Sequence, residues 1–493
     1  MASSFMHQFS KKKEILKRSS KKYLEEALYT KLLSDGGEER NVRTKLNEFL
    51  KSRKSAFKWE VGHTLKVLRS RRLYGPALKL SEIMEKRGMN KTVSDQAIHL
   101  DLVAKARGIP AAEAYFISLP ESSKSHLTYG ALFNCYCTDS MTEKAESLFE
   151  KMKELNLELT SMPYNSLMNL YLKNGAPQMI PPLIQEMKAA DIMPDTFTYN
   201  VWMKSLAAVN DISGVERVID EMKRDGRVSA DWTTYSNLAS IYANAGLYEK
   251  AEKALKELET KRARKDFLAY QFLITLYGKT GNLLEVYRVW RSLMVAFPKT
   301  ANMSYLNMIQ VLVNLNDLPG AEKCFHEWSI SCSTYDIRIA NVLIGAYLKE
   351  GSYKKADNLK YMSQKRGTKA NAKTWELFID FHLKNGPIRA VVRCIDNAIS
   401  AGIENGRKWV PKPEVVEKVM KHFEENKDVE AAEGFLEVLK KSEDELGNTV
   451  FESLIRIYAV AEKKSDIMRR RIKMENVELS DEGKKLLDEI SEE

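Results

Sequence analysis

Residues 161–195 read SMPYNSLMNLYLKNGAPQMIPPLIQEMKAADIMPD, and residues 196–231 read TFTYNVWMKSLAAVNDISGVERVIDEMKRDGRVSAD. The two segments align, Tyr164 with Tyr199 and Asn165 with Asn200, with one extra residue in the second. The Tyr recurs at 129, 164, 199, 235, 270 and 305, and the register runs on through Ala340 to Trp375. Every interval is 35 residues except that from Tyr199 to Tyr235, which is 36. A second apolar column follows three residues behind: Leu132, Leu167, Trp202, Leu238, Leu273, Met308, Leu343 and Phe378. A fixed period in this range marks an array of small units, each burying its apolar face against its neighbours.

Within one unit the periodicity is helical. Tyr164, Leu167, Met168 and Tyr171 fall three or four residues apart, which places them on one helix face. Asn174-Gly175 ends that helix, because Gly readily takes the left-handed conformation of a helix stop. Gly246, Gly281, Gly351 and Gly386 stand at the same place in other units. A second helix follows, with a small residue early in it: Ala77, Ala112, Ala145, Ala251, Ala321, Ala356 and Ala432. Met152, Met187 and Met222 lie seven residues beyond that position and read as packing rather than as a ligand box. Met193-Pro194-Asp195 closes the unit, since Pro cannot continue a helix. Counted from three residues before the Tyr column, units start near Lys58, Val93, His126, Ser161, Thr196, Trp232, Phe267, Asn302, Ile337 and Ala372. After an insertion at 407–412, two more start near Pro413 and Asn448, about twelve in all.

The expected fold is therefore all-α: a right-handed superhelical solenoid of helix-turn-helix repeats of about 35 residues, first helices on the concave face and second helices on the convex one. Residues 24–57 read as an N-terminal helical cap, 58–482 as the array and 483–493 as an acidic C-terminal tail.

Composition narrows the function classes. The chain has 493 residues, 44% hydrophobic and 29% charged, and no apolar run approaches the roughly 18–20 residues that cross a bilayer. Five Cys (135, 137, 324, 332 and 394) are too few and too scattered for a disulfide framework, so a reducing compartment is the expectation. The net charge of +10 is uneven: residues 1–60 carry 15 Lys+Arg against 8 Asp+Glu, and residues 61–92 carry 8 against 2. Residues 401–493 reverse the sign, with 17 against 23. A basic end on a near-neutral body suits a polyanion, or it is a solvated or cleavable tail. Residues 1–23, rich in Ser and Lys, fit either a mitochondrial or plastid presequence or a retained RNA-binding tail.

Signatures of catalysis are missing. Cys135-x-Cys137 has no second Cys pair to complete a zinc site. His422-Phe-Glu424 opens like a deaminase motif, but no Pro-Cys-x-x-Cys follows. No Gly-rich phosphate loop occurs, and seven scattered His suggest no nucleophile triad. The expectation is no enzyme, no metal, no cofactor, no small-molecule substrate and no membrane partner.

A 35-residue helical pair with Tyr-Asn near its start, Asn-Gly between helices, Ala in the second helix, Met near its end and Pro-Asp at its close resembles the pentatricopeptide repeat family. The all-long units, without appended modules, resemble its P-type subfamily, whose members are typically organellar RNA-binding proteins of plants. The resemblance spans about residues 58–482. It implies that each unit offers one base a residue just after the Tyr column and a second from its last position, while its second residue sandwiches the base. On that rule the readers are Asn165 with Asp195, a pair used for uracil, Asn200 with Asp231, Ser236 with Asp266, and Asn341 with Asn371. Met162 and Phe197 are the apolar clamps, whereas Arg338 stands where a clamp belongs.

The other reader positions hold Gly62, Ala97, Gly130, Gln271, Leu306, Glu376, Glu417 and Glu452. Gly, Ala and Leu offer no side-chain hydrogen bond to a base, and Glu repels phosphate. Four readable bases at roughly 1–3 kcal/mol each do not define a long unique site. Phosphate contacts would fall to Lys11, Lys12, Lys13, Lys17, Arg18, Lys21, Lys22, Arg69, Arg71, Arg72, Arg469, Arg470 and Arg471, each of which also reads as solvated surface. The resemblance thus implies an RNA-binding scaffold in mitochondrial (or plastid) gene expression, gripping structured RNA by shape and charge. Its expected place is a structural or accessory one on the mitochondrial ribosome, beside other proteins of a ribonucleoprotein. The alternatives are a transcript-specific processing, stability or splicing factor reading a short pyrimidine-rich strand, and a protein-binding scaffold without RNA contact.

Overall fold

The computed structural model describes residues 28–33, 39–51, 58–86, 88, 92–157, 159–261, 266–404, 406, 408–442, 446–465, 467–475 and 477–491. Lys11, Lys12, Lys13, Lys17, Arg18, Lys21 and Lys22 lie outside them. Among the described residues all regular structure is helical. The chain divides into two units, residues 1–237 and 238–493, and the division falls inside the helix Trp232–Asn244.

In the first unit five helical hairpins follow one another: Lys58–Ser70 with Tyr74–Lys86, Val93–Arg107 with Ile109–Ser118, His126–Thr138 with Thr142–Glu154, Ser161–Lys173 with Ile180–Ala189, and Thr196–Ala208 with Ile212–Asp225. From Val93 onward each first helix packs on the first helix of the next hairpin. Ahead of them, Leu28–Leu32 packs on Lys58–Ser70 and Glu39–Lys51 on Tyr74–Lys86, so these two helices add to the array in the manner of a further hairpin.

The second unit opens its hairpins with Phe267–Lys279 and Leu283–Ala296, then Asn302–Asn314 with Leu318–Ser331, Ile337–Lys349 with Tyr353–Lys365, and Ala372–Asn385 with Ile388–Glu404. Pro413–Glu425 with Val429–Lys440 and Asn448–Val460 with Met468–Met474 complete it. The helix Asp481–Ile490 packs on Asn448–Val460, and Ile490 is buried. The boundary drawn at 482/483 from sequence falls inside that helix; its apolar face gives it a place in the stack.

The columns of the sequence are the contacts of the stack. Tyr129, Tyr164, Tyr199, Tyr235, Tyr270 and Tyr305 are all buried, as are Leu132, Leu167, Leu273, Met308, Leu343 and Phe378. The early Ala of the second helix is fully enclosed wherever it occurs, and Ile180, Val215, Val286 and Val391 fill the same place in the other hairpins. Met152, Met187 and Met222 are buried packing residues. Each such large side chain removed from water contributes about 1.5–3 kcal/mol.

Helix ends follow local chemistry. The residue that closes one repeat caps the next: Asp195 and Asn371 each make a capping box with a Thr three residues on, and Asp266 and Asp336 accept from first-turn amides. Such a cap is worth about 0.5–2 kcal/mol. Gly175, Gly246, Gly281 and Gly351 stop first helices with φ between 71° and 79°. Gly386 departs from that expectation. Its φ is −128°, because the helix runs one residue further to Asn385 and Pro387 follows at once.

Neighbouring repeats are also tied by a recurring polar clasp. A Tyr late in a first helix donates to a Glu of the preceding second helix, as Tyr136 to Glu113 (2.7 Å), Tyr171 to Glu146 (2.8 Å), Tyr347 to Glu322 (2.8 Å) and Tyr458 to Glu433 (3.0 Å). A cation often completes it: Lys144 reaches Glu113 at 2.7 Å and Arg471 reaches Glu433 at 2.6 Å.

One buried cluster looks at first like a catalytic one. Ser81 Oγ lies 2.9 Å from His99 Nδ1, and Glu85 lies 3.9 Å from His99 Nε2. Ser81 is 1% exposed and the His99 ring packs against Tyr115 at 4.7 Å, so the group holds two helices together. Burial lowers the His99 pKa below 6.5, against the pull of Glu85 and Glu82. A depressed folded-state pKa stabilises above the unfolded value, and that stability drains as pH falls from about 6.5 towards the folded value. The melting temperature is therefore expected to fall between roughly pH 7.5 and 5.5, and to fall less steeply in His99→Gln. Equal slopes in the two proteins would show that His99 does not carry the effect.

Candidate nucleic-acid interface

Successive first helices form a layer in each unit, and the candidate readers stand on it. Asn165 is 7% exposed. Its Nδ2 donates to both oxygens of Asp195, at 3.2 and 3.1 Å, and its Oδ1 accepts from the Thr198 hydroxyl at 2.8 Å. Asp195 also accepts from the Ser161 hydroxyl at 2.7 Å and caps the next helix through the Thr198 amide at 2.8 Å. Burial disfavours the Asp195 charge, but the Thr198 amide and the Ser161, Thr198 and Asn165 side chains outweigh it and hold the carboxyl below its usual range.

The second unit repeats this arrangement. Asn341 Nδ2 donates to Asn371 Oδ1 at 3.2 Å, Asn341 Oδ1 accepts from Thr374 at 2.8 Å, and Asn371 caps the helix that Thr374 begins. In both places the reader is pinned by the cap of the following helix. That leaves the Asn amide one N–H and one lone pair. A base edge with a carbonyl beside a ring N–H, as on uracil, complements them.

The remaining pairs differ. No bond joins Asn200 to Asp231 among the described residues. The repeat is one residue longer, and it turns through the left-handed Gly226. Asp231 folds onto its own helix, accepting from the Thr233 hydroxyl at 2.6 Å and the Thr234 amide at 2.9 Å. Asn200 Oδ1 is buried without a partner. Ser236 is buried in the first unit. Asp266, in the second, caps its helix through the amides of Leu268 and Ala269 at 3.1 and 3.3 Å.

The clamp positions are open to solvent. Met162 is 72% exposed and Phe197 47%. Leu127 in the first unit and Leu268 and Met303 in the second occupy the same repeat position and are also exposed. Sequence reasoning passed over these three because their repeats lack a reader, although the second-position column was there to be followed. Arg338 is held by Asp336, Nη2 to Oδ2 2.7 Å, beside a groove of about 780 Å³ lined by Asn341, Asn371 and Lys373. A second groove of about 490 Å³ lies over Ala97, Gly130, Leu127 and Met162. A Cβ added at Gly130 would meet nothing within 4 Å, so the missing reader leaves open space. Gln271 is spent internally, donating to Ser304 at 2.9 Å and accepting from Asn307 at 2.9 Å.

Several of the proposed phosphate ligands are already paired. Arg69 bonds Asp101 at 3.0 Å, Arg469 bonds Asp488 at 2.7 Å, and Arg471 is shared by Glu433 and Glu437. Arg71, Arg72 and Arg470 are exposed and carry no such pair among the described residues. They are the described cations of that set best placed to meet phosphate.

Hairpins in register, an Asn pinned by the next helix cap in both units and an exposed apolar second position define a helical-repeat protein. The chain belongs to the pentatricopeptide repeat family. Models of the PPR repeat match residues 127–157, 197–227 and 339–367, the PPR repeat family model matches 159–208, and the pentatricopeptide repeat domain matches 217–280. The large ribosomal subunit protein mL101 (rPPR4) of Arabidopsis thaliana is 62% identical over 487 residues, covering 99% of both chains. A mitochondrial pentatricopeptide repeat-containing protein of the same plant is 39% identical over 447 residues, covering 90% of this chain and 83% of its own. Among solved structures, the maize pentatricopeptide repeat protein PPR10 aligns with a TM-score of 0.47 at 17% identity, over 91% of this chain and 69% of that one.

Proposed function

We propose that this chain is an RNA-binding structural component of the large subunit of the mitochondrial ribosome, acting as a scaffold without catalysis of its own. The observation that carries the reading is the 62% identity, end to end, with a large ribosomal subunit protein. Relatives described as mitochondrial, at 39% and 37% identity over 90% of this chain, support the compartment. The interface supports the mode of binding. Two pinned Asn readers and a broken clamp column suit short contacts with a folded RNA better than the reading of a long single strand. Exposed Arg71, Arg72 and Arg470 add affinity that depends on salt and carries no sequence information. In this reading residues 24–57 cap the array, and the repeats that carry Asn165 and Asn341 offer the RNA-binding surface.

Sedimentation of mitochondrial extract with sequencing of crosslinked RNA tests it. The chain is expected to travel with the large subunit and to crosslink to its ribosomal RNA. A chain that sediments apart and crosslinks to one messenger or intron is a transcript-specific reader, for which the Asn165 and Asn341 networks would then be the basis. Absence of crosslinked RNA would leave only a protein-binding scaffold.

A further inference from the structure

The last repeats of the second unit depart from the rest of the array in two ways that coincide. Residues 408–412 of the insertion lie against the preceding first helix, with the Trp409 indole N–H donating to Glu376 Oε1 at 2.8 Å. Its next residues, Val410 and Pro411, then form one wall of a groove of about 560 Å³ between the first helices Pro413–Glu425 and Asn448–Val460. Val416, Leu446 and Val450 add to an apolar lining. Into this groove project Glu417 and Glu452, which hold the repeat position that Asn165 and Asn341 hold elsewhere.

Those two carboxylates decide what the groove admits. Glu417 is exposed and has no cation partner among the described residues. Glu452 accepts from the Ser480 amide at 2.7 Å, and that bond, with Arg456 nearby, holds its carboxyl below the usual range, so it is charged at neutral pH. Arg456, which also lines the groove, offsets one of the two charges and leaves Glu417 uncompensated. The surrounding stretch 401–493 carries 17 Lys+Arg against 23 Asp+Glu. A phosphate backbone is repelled from such a place, while an apolar side chain flanked by cations gains both burial and a charge partner.

We propose that this groove is a docking site for a basic peptide segment of a partner protein, with an apolar side chain seated among Val410, Val416 and Val450 and a neighbouring Lys or Arg against Glu417. The inference does not rest on RNA binding elsewhere in the chain. It divides the array by partner: the C-terminal repeats take protein at the repeat position where the Asn-bearing repeats offer readers for a base.

Fluorescence anisotropy with a labelled peptide of alternating Lys and Leu, titrated with the full chain, tests the site. Binding is expected to weaken roughly tenfold or more in Glu417→Lys, a loss of about 1.4 kcal/mol. Glu417→Gln should fall between that variant and the wild type. A Glu–Leu peptide should not bind, and unlabelled Lys–Leu peptide should compete. A photo-crosslinking residue in place of Val450 should attach to the Lys–Leu peptide. Because Glu417 is exposed, both variants should melt with the wild type. Unchanged affinity in Glu417→Lys and Glu417→Gln, equal binding of the Glu–Leu peptide, or no crosslink from position 450 would each overturn the proposal.

Discussion

Tyr199→Ala is expected to destabilise the first unit by about 3–5 kcal/mol, the usual range for deleting a large buried aromatic. Tyr199 is 1% exposed, its ring stacks on Trp202 with centroids 6.3 Å apart, and its hydroxyl donates to Asp225 at 3.2 Å. The side chain fills the contact between the two helices of its own hairpin. A repeat array is stable as a sum of units and nearest-neighbour interfaces, so loss at one hairpin weakens those on either side. Urea unfolding should show the shift, and hydrogen exchange should show protection falling first around residues 161–230. Tyr199→Phe, which keeps the ring and removes one hydrogen bond to a carboxylate, should cost less, about 1.5–3 kcal/mol. If the alanine variant unfolds with the wild type, the Tyr column is not the contact that holds the hairpins together.

The double variant Met162→Ala, Phe197→Ala should behave in the opposite way. Met162 is 72% exposed and Phe197 47%, so melting should move far less than in Tyr199→Ala. Stacking of a base on such a side chain is worth about 1–3 kcal/mol, so losing two should weaken binding of a uridine-rich single strand by roughly thirtyfold or more. Filter binding at fixed ionic strength would measure it, since salt alone changes such affinities strongly. An unchanged affinity would move the RNA contact away from the second position of the repeat and onto charge alone.

The two variants separate two kinds of legibility. The Tyr column was readable because a solenoid repeats its contacts: each unit buries the same positions, so the contact appears in the sequence as a period. The caps were readable for the same reason. Asp195 and Asn371 stand at fixed places and cap helices whatever their neighbours are. Gly386 shows the limit, since Pro387 behind it changed the helix end that the period alone predicts.

The interface was less legible. Its residues are named by the period, but their hydrogen bonds depend on geometry across repeats. Asn165 and Asn200 are alike in sequence, yet one is pinned by the following cap and the other is not, because a single extra residue moves Asp231. Arg69, Arg469 and Arg471 read as free cations, while their acid partners lie 32, 19 and 38 residues away.

The sequence by itself determined the helical repeat, its length, its phase and the family to which the chain belongs, because burial in a stacked array is a local, periodic demand on residue type. Only the tertiary structure decided which candidate readers are pinned, which cations are already spent and where Val410 and Pro411 wall a groove. Those outcomes depend on distances between side chains far apart in the chain, and a difference of one residue or one neighbouring charge is enough to change them.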